Sequence, residues 1–108
     1  MEKLKRVVII YSRYEFKEKT FSKRERHTKR LEVIKDYLEF EFENLEITVT
    51  DTLKTAIRVL NDNTGYILGV ITEGQSQFLD NITQEGWYVN VGPSQLTPAL
   101  AKELILTS

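Results

Sequence analysis

Arg6-Val-Val-Ile-Ile-Tyr-Ser12 is a continuous apolar run with β-branched residues at its centre. A run of this length and composition is typical of a strand that is buried on both faces of a sheet. Tyr66-Ile-Leu-Gly-Val-Ile71 has the same character and predicts a second buried strand. Leu45-Glu-Ile-Thr-Val-Thr50 alternates apolar and polar residues, which favours a half-exposed strand at the edge of the sheet. Trp87-Tyr-Val-Asn-Val91 predicts a fourth, less uniformly apolar strand.

A helical pattern follows the first strand. Residues 28–44 place apolar side chains at helical spacing, in a band wide enough to pack firmly on a sheet. Thr28 or a slightly earlier residue is the predicted cap of this helix. The basic segment before it is either a loop or a further part of the helix. The apolar stripe is Leu31, Ile34, Leu38 and Phe42, with Val33, Tyr37 and Phe40 beside it.

Three further helices are predicted along the chain. Residues 53–60 form an amphipathic pattern behind a capping residue, Asp51 or Thr52. A short helix over 76–84 ends at Gly86, and Thr97 followed by Pro98 predicts the start of a helix over 99–106. The residues expected to face the core in the first of these helices are Leu53, Ala56, Ile57 and Leu60.

The order of elements, β-α-β-α-β-α-β-α, predicts an α/β fold with helices on both faces of a parallel sheet. The two most apolar strands belong in the centre and the alternating strand at an edge. We therefore expect a flavodoxin-like three-layer sandwich with a four-stranded parallel sheet in the order 2-1-3-4. A chain of 108 residues has room for one such domain, over residues 1–108. Ligands of this topology bind at the carboxyl ends of strands one and three, which here are followed by residues 12–21 and 72–77.

Composition removes several classes of function. The chain has no cysteine and one histidine, His27. These counts exclude a disulfide scaffold, a thiol nucleophile, and a metal site built from cysteines or from several histidines. No apolar run approaches the length of about 20 residues that a membrane span needs, so we expect a cytoplasmic protein that does not engage a membrane. No metal and no cofactor are expected.

The net charge of −1 conceals an uneven distribution. Residues 13–30 contain eight basic and three acidic residues, whereas residues 32–51 contain seven acidic residues and one lysine. The acidic stretch is typical of the solvated face of a helix, and it is also compatible with docking of a basic partner or with mimicry of nucleic acid.

The loop after the first strand is a candidate ligand site. It is long, basic and interleaved with aromatic residues at the predicted switch point of the sheet. A binding role would use cations for an anionic group and an aromatic ring to stack on a base, whereas the alternative is a solvated loop. The candidate ligand-binding residues are Ser12, Arg13, Tyr14, Lys17, Thr72 and Glu73.

The basic residues that follow are candidates for contact with a protein partner. They are Lys23, Arg24, Arg26 and Arg30. Glutamates interrupt them, and the sequence pI is about 5.9, so a duplex-DNA binder is not expected.

Catalytic motifs are missing from the sequence. There is no G-x-S-x-G, no G-x-G-x-x-G and no P-loop pattern. The first strand ends without an acidic pair, and Glu73 is the lone acid after the third. His27 lies among cations and is predicted to be a surface residue without a role. We assign no catalytic residue.

Four segments resemble a known family. They are Val7-Val-Ile-Ile-Tyr-Ser12, His27-Thr-Lys-Arg-Leu31, Ile47-Thr-Val-Thr-Asp-Thr-Leu-Lys-Thr-Ala-Ile57 and Gly69-Val-Ile71. Over residues 5–72 they resemble the receiver-like N-terminal domain of bacterial ornithine/lysine/arginine decarboxylases. The resemblance implies a non-catalytic domain that serves assembly of a larger enzyme, without the pyridoxal-phosphate domain. Relative to phosphorylated receivers, Ser12-Arg13 replaces the acidic pair and Thr72 the phosphoacceptor aspartate.

Two functions follow from the sequence. The first is a non-enzymatic protein-binding, assembly or regulatory module that binds itself or another protein; a small phage or mobile-element protein that binds a host protein is one candidate of this kind. The second is a small-molecule binder, or an enzyme, acting on a nucleotide or phosphorylated ligand at the carboxyl ends of strands one and three.

Overall fold

The computed structural model describes residues 6–13, 21–74, 86–92 and 95–107, with side chains in the first helix described from Glu25 onward. The loop after the first strand, with Tyr14 and Lys17, lies outside the described residues, as does the helix predicted over 76–84.

Four parallel strands form the sheet: β1 (Arg6–Ser12), β2 (Leu45–Thr50), β3 (Ile67–Glu73) and β4 (Trp87–Val91). Their order is β2-β1-β3-β4, which confirms the predicted flavodoxin-like arrangement. β1 and β3 occupy the centre because their residues are apolar on both faces and every residue of β1 after Arg6 is buried. The pairing of β1 with β3 places Ser12 opposite Glu73 at the carboxyl edge.

Three helices are described: α1 (Phe21–Glu41), α2 (Leu53–Asp62) and α3 (Pro98–Leu106). α1 begins at Phe21, so the prediction that Thr28 or a slightly earlier residue caps it is wrong. The alternative of a longer helix that includes the basic segment is confirmed. The start of α3 is confirmed, because the Thr97 hydroxyl accepts a hydrogen bond from the Leu100 amide at 3.1 Å. No helix in this part of the chain is long and apolar enough to cross a membrane.

The core has two halves, one on each face of the sheet. α1 and α3 cover one face, where Ile34 and Leu38 pack on Val8 and Ile10. α2 covers the other face, where the buried residues are Val7, Ile9, Tyr11, Ala56, Leu60, Ile67 and Val70. The predicted two-faced sandwich is therefore confirmed.

Four apolar residues assigned to the packed faces of helices are more exposed than predicted. Val33 and Phe40 of α1 are 59% and 84% exposed, and Leu53 and Ile57 of α2 are 43% and 37% exposed. Val33 and Phe40 lie about 100° or more around the helix from Ile34, which faces the sheet. The packed band of α1 is therefore narrower than its apolar content suggests.

Candidate functional site

A buried carboxylate lies at the carboxyl edge of the two central strands. Glu73, the last residue of β3, is 5% exposed. The hydroxyl of Ser12, which ends β1, donates a hydrogen bond to Glu73 Oε1 at 2.7 Å. A buried charge is costly unless it is paired and hydrogen-bonded, so the surroundings of Glu73 determine its role.

Arg30 of α1 supplies the countercharge. Its Nη1 lies 3.0 Å from Glu73 Oε2, and its Nη2 donates to Glu73 Oε1. Arg30 Nη1 also donates to the carbonyl oxygen of Leu96 at 2.9 Å, while the Leu96 amide donates to Glu73 Oε2 at 2.8 Å. With the bond from Ser12, the carboxylate accepts four hydrogen bonds, which is about the number that its lone pairs can take.

These contacts set the ionisation of Glu73. Burial raises its pKa, but the hydrogen bonds from Arg30, Ser12 and the Leu96 amide together outweigh burial and hold the pKa below its ordinary value of 4.5. A carboxylate that is ionised and saturated with donors must break one of these bonds before it can accept a proton from a ligand. The Glu73 carboxylate is therefore better suited to holding α1 on the sheet than to exchanging a proton with a ligand.

His27 anchors α1 to the other central strand. It is 7% exposed, and its Nε2 lies 2.9 Å from the main-chain oxygen of Ser12. Because a carbonyl oxygen only accepts hydrogen bonds, Nε2 carries the proton in this contact. The prediction of a surface His27 is wrong, because the helix begins early enough to place His27 on the same side as Leu31 and Ile34.

We call this group of residues the Glu73 cluster. It comprises Ser12, His27, Arg30, Glu73 and the main chain of Leu96. It ties the basic half of α1 to β1, to β3 and to the segment before α3. The position and rotation of α1 on the sheet are therefore fixed by polar contacts as well as by the apolar core.

The predicted ligand-binding residues are only partly brought together. Ser12 and Glu73 are in direct contact, and the exposed Arg13 follows β1. Thr72 is buried beside the opposite face of the sheet, where its hydroxyl donates to Asn90 Oδ1 at 2.8 Å. Thr72 therefore lies across the sheet from the Glu73 carboxylate.

The predicted partner-binding residues all lie in α1. Arg26 is exposed, whereas Arg30 is bound within the Glu73 cluster. Lys23 and Arg24 belong to the first turns of the helix, and their side chains lie outside the described residues.

Sequence reasoning missed His27 and Leu96 as anchors. For His27, the signal was its position four and seven residues before Leu31 and Ile34.

The outward side of α1 carries the most exposed large apolar residue of the described chain, Phe40, together with Val33. Phe40 is 84% exposed and Val33 is 59% exposed. We call the line that they mark the α1 stripe; it consists of Arg26, Lys29, Val33, Asp36 and Phe40, spaced by three or four residues. The neighbouring helix α3, joined to α1 by a 3.0 Å contact from Lys102 Nζ to Glu41, exposes 63% of Leu106. The three most exposed large apolar residues of the described chain therefore lie on α1 and α3.

The charges of α1 run against its macrodipole. Residues 21–30 contain five basic residues and one acid, and residues 31–41 contain four acids and one lysine. The first turn holds no acid and the last turn no basic residue. Acids stabilise helix N-termini and bases stabilise C-termini, by about 0.3 to 1 kcal/mol each, so this distribution does not favour the isolated helix.

Over residues 6–13, 21–74, 86–92 and 95–107, no group of three or more histidine, aspartate and glutamate side chains is placed to hold a metal ion.

Comparisons with protein-family models, with curated proteins and with solved structures give no significant match for this chain. The resemblance to decarboxylase receiver-like domains therefore rests on the sequence pattern alone.

Proposed function

We propose that the protein is a non-enzymatic protein-binding and assembly module whose contact surface is the α1 stripe. The observation that carries the proposal is the exposure of Phe40, at 84%, beside Val33, at 59%. Full burial of a phenylalanine or valine side chain contributes about 1.5 to 3 kcal/mol. An aromatic residue on a mixed apolar and charged surface is also a composition typical of interface hot spots.

The Glu73 cluster supports this function by holding the stripe in place. His27 and Arg30, one turn apart, bind the carboxyl ends of the central strands. With that side of the helix fixed inward, Arg26, Val33 and Phe40 point outward before a partner arrives. A surface that is already ordered loses less conformational entropy on binding.

Ligand binding at the carboxyl edge, the other function predicted from the sequence, has less support among the described residues. Arg30 is already neutralised by Glu73, and the Glu73 oxygens are saturated. On the α1 stripe Val33 and Phe40 are exposed, and within the described part of the chain Lys29 pairs only with Glu25 of its own helix, in an exposed contact of 3.5 Å. We therefore favour protein binding.

The proposal is tested by comparing Phe40→Asp with Leu53→Asp in tagged protein recovered from its native cells. Leu53 is a matched control because it is 43% exposed but lies on α2, on the opposite face of the sheet. We expect wild type and Leu53→Asp to retain a protein, either another chain or a second, differently tagged copy, and Phe40→Asp to lose it. Equal retention by all three variants contradicts the proposal.

A further inference from the structure

We propose that the partner of the α1 stripe is a second copy of this chain, with the two α1 helices packed side by side and antiparallel. This inference rests on the proposed function and adds the identity of the occupant. Two features of α1 support it: the distribution of charge along the helix and the position of its exposed apolar residues.

An antiparallel copy converts the unfavourable charge pattern of α1 into a favourable one. The exposed Arg26 and Lys29 of the basic half then lie beside the half of the other copy that exposes Glu32, Asp36 and Glu39, and the contact occurs twice. Arg30 takes no part in it, because Arg30 is bound to Glu73. The positive N-terminus of each helix also lies beside the negative C-terminus of the other. The same charges that oppose the macrodipole of a single helix stabilise the pair.

The stripe itself is arranged around Val33. Arg26 lies seven residues before Val33 and Phe40 seven residues after it. Lys29 lies four residues before Val33 and Asp36 three residues after it. A two-fold axis beside Val33 therefore brings the two valines together and sets each Arg26 over the Phe40 ring of the other copy, a favourable cation–π arrangement. Lys29 approaches Asp36 of the other copy, and the interface closes on itself as two-fold interfaces do.

A parallel pair lacks this complementarity, because it places basic half beside basic half and acidic half beside acidic half. The register in which Val33 meets Val33 is shared by both orientations, so charge alone selects the antiparallel one. Reversing the charges of one half of α1 in both copies should therefore disrupt the pair. Mixing one copy whose basic half is reversed with another copy whose acidic half is reversed should restore it.

The test is sedimentation of the purified full chain from low micromolar concentration to about 1 mM, a range that covers weak interfaces. We expect wild type to dimerise and Arg26→Glu/Lys29→Glu to weaken the dimer at least about 100-fold, because like charges are brought together. Lys54→Glu/Arg58→Glu is the matched control, since it reverses two exposed basic residues on α2 and should leave the dimer unchanged. Circular dichroism of each variant reports that the fold is intact.

The complementary variant is Asp36→Lys/Glu39→Lys, which reverses the acidic half. Alone it should be monomeric, and mixed with Arg26→Glu/Lys29→Glu it should form a heterodimer much stronger than either homodimer. The heterodimer should be somewhat weaker than wild type, because one of the two Arg26–Phe40 contacts is lost. A mixture that stays monomeric, or a wild type that is monomeric throughout, overturns the inference. If wild type is monomeric while Phe40 still governs retention of a different protein, the inference fails and the proposed function stands. If wild type is monomeric and Phe40→Asp also retains the same proteins as wild type, both the inference and the proposed function fail.

Discussion

Replacement of Glu73 by glutamine should destabilise the fold strongly. The amide nitrogen of the new side chain must take the place of one carboxylate oxygen. At Oε2 it meets two donors, Arg30 Nη1 and the Leu96 amide, and at Oε1 it meets Ser12 Oγ and Arg30 Nη2. With the nitrogen at the Oε2 position two hydrogen bonds are lost, because neither Arg30 Nη1 nor the Leu96 amide can accept. With the nitrogen at the Oε1 position the bond from Arg30 Nη2 is lost, whereas the Ser12 hydroxyl can turn and accept. In either orientation the arginine loses its countercharge.

The size of the effect follows from these contacts. A hydrogen bond to a charged group contributes about 1.5 to 3 kcal/mol, and breaking a buried ion pair by removing one partner costs about 3 to 5 kcal/mol. The Arg30 side chain is 32% exposed and regains some hydration, which places the loss near the lower limit. We expect the free energy of unfolding to fall by about 3 kcal/mol, a large part of the total stability of a domain of this size.

Urea denaturation followed by circular dichroism measures this change. With an m-value of about 1.5 kcal/mol/M, the midpoint should move down by about 2 M urea. Glu103→Gln on the exposed side of α3 is the control and should lie within about 0.5 kcal/mol of wild type. If Glu73→Gln also lies within about 0.5 kcal/mol of wild type, the Glu73 cluster does not anchor α1 in the way described.

Three further outcomes are expected. The pKa of Glu73 is below its ordinary value of 4.5, so its contribution to stability is present above about pH 4.5 and is lost as pH falls through the folded-state pKa; urea titrations should show the difference between wild type and Glu73→Gln shrinking under acid. Gly69→Ala should lower the free energy of unfolding by about 1 to 3 kcal/mol, because a Cβ at this position overlaps the Trp87 ring, and a near-neutral effect in thermal or urea unfolding would contradict this packing. Thr97→Ala should cost about 1 kcal/mol by removing the cap of α3, whereas Thr97→Ser should retain most of it in the same assay.

The sheet was predictable because its order follows from which strands are apolar on both faces. β1 and β3 carry apolar runs rich in β-branched residues and occupy the centre, and the alternating β2 lies at an edge. The bounds of β4 and the cap of α3 were predicted correctly because their local signals, an aromatic β-branched run and a Thr-Pro pair, depend on few other residues.

The candidate site was predictable only in part. The meeting of Ser12 and Glu73 follows from parallel pairing of the strand ends. The contact between Arg30 and Glu73 could not be predicted in this way. It depends on how α1 is rotated on the sheet, and the two residues lie 43 positions apart in the sequence. His27 was misplaced for a related reason: a helix that starts at Thr28 leaves His27 outside the apolar band, whereas the longer α1 brings it inward.

The exposure of Phe40 could not be predicted from composition either. The helical spacing places it beside the apolar band, but only the packing of α1 against the sheet determines how far that band extends. The same holds for Val33, whose neighbours in sequence, Ile34 and Leu38, are fully buried.

Disulfide mapping at Val33 tests the contact surface on α1 most directly. The chain has no cysteine, so a single Val33→Cys substitution gives one thiol per copy. In the antiparallel pair the two thiols lie beside the two-fold axis, within reach of the Cα separation that a disulfide requires, about 4.4 to 6.8 Å. Under mild oxidation we expect Val33→Cys to form a covalent dimer at least about tenfold faster than Leu53→Cys at the same concentration. Equal rates for the two variants would contradict a self-association surface on α1.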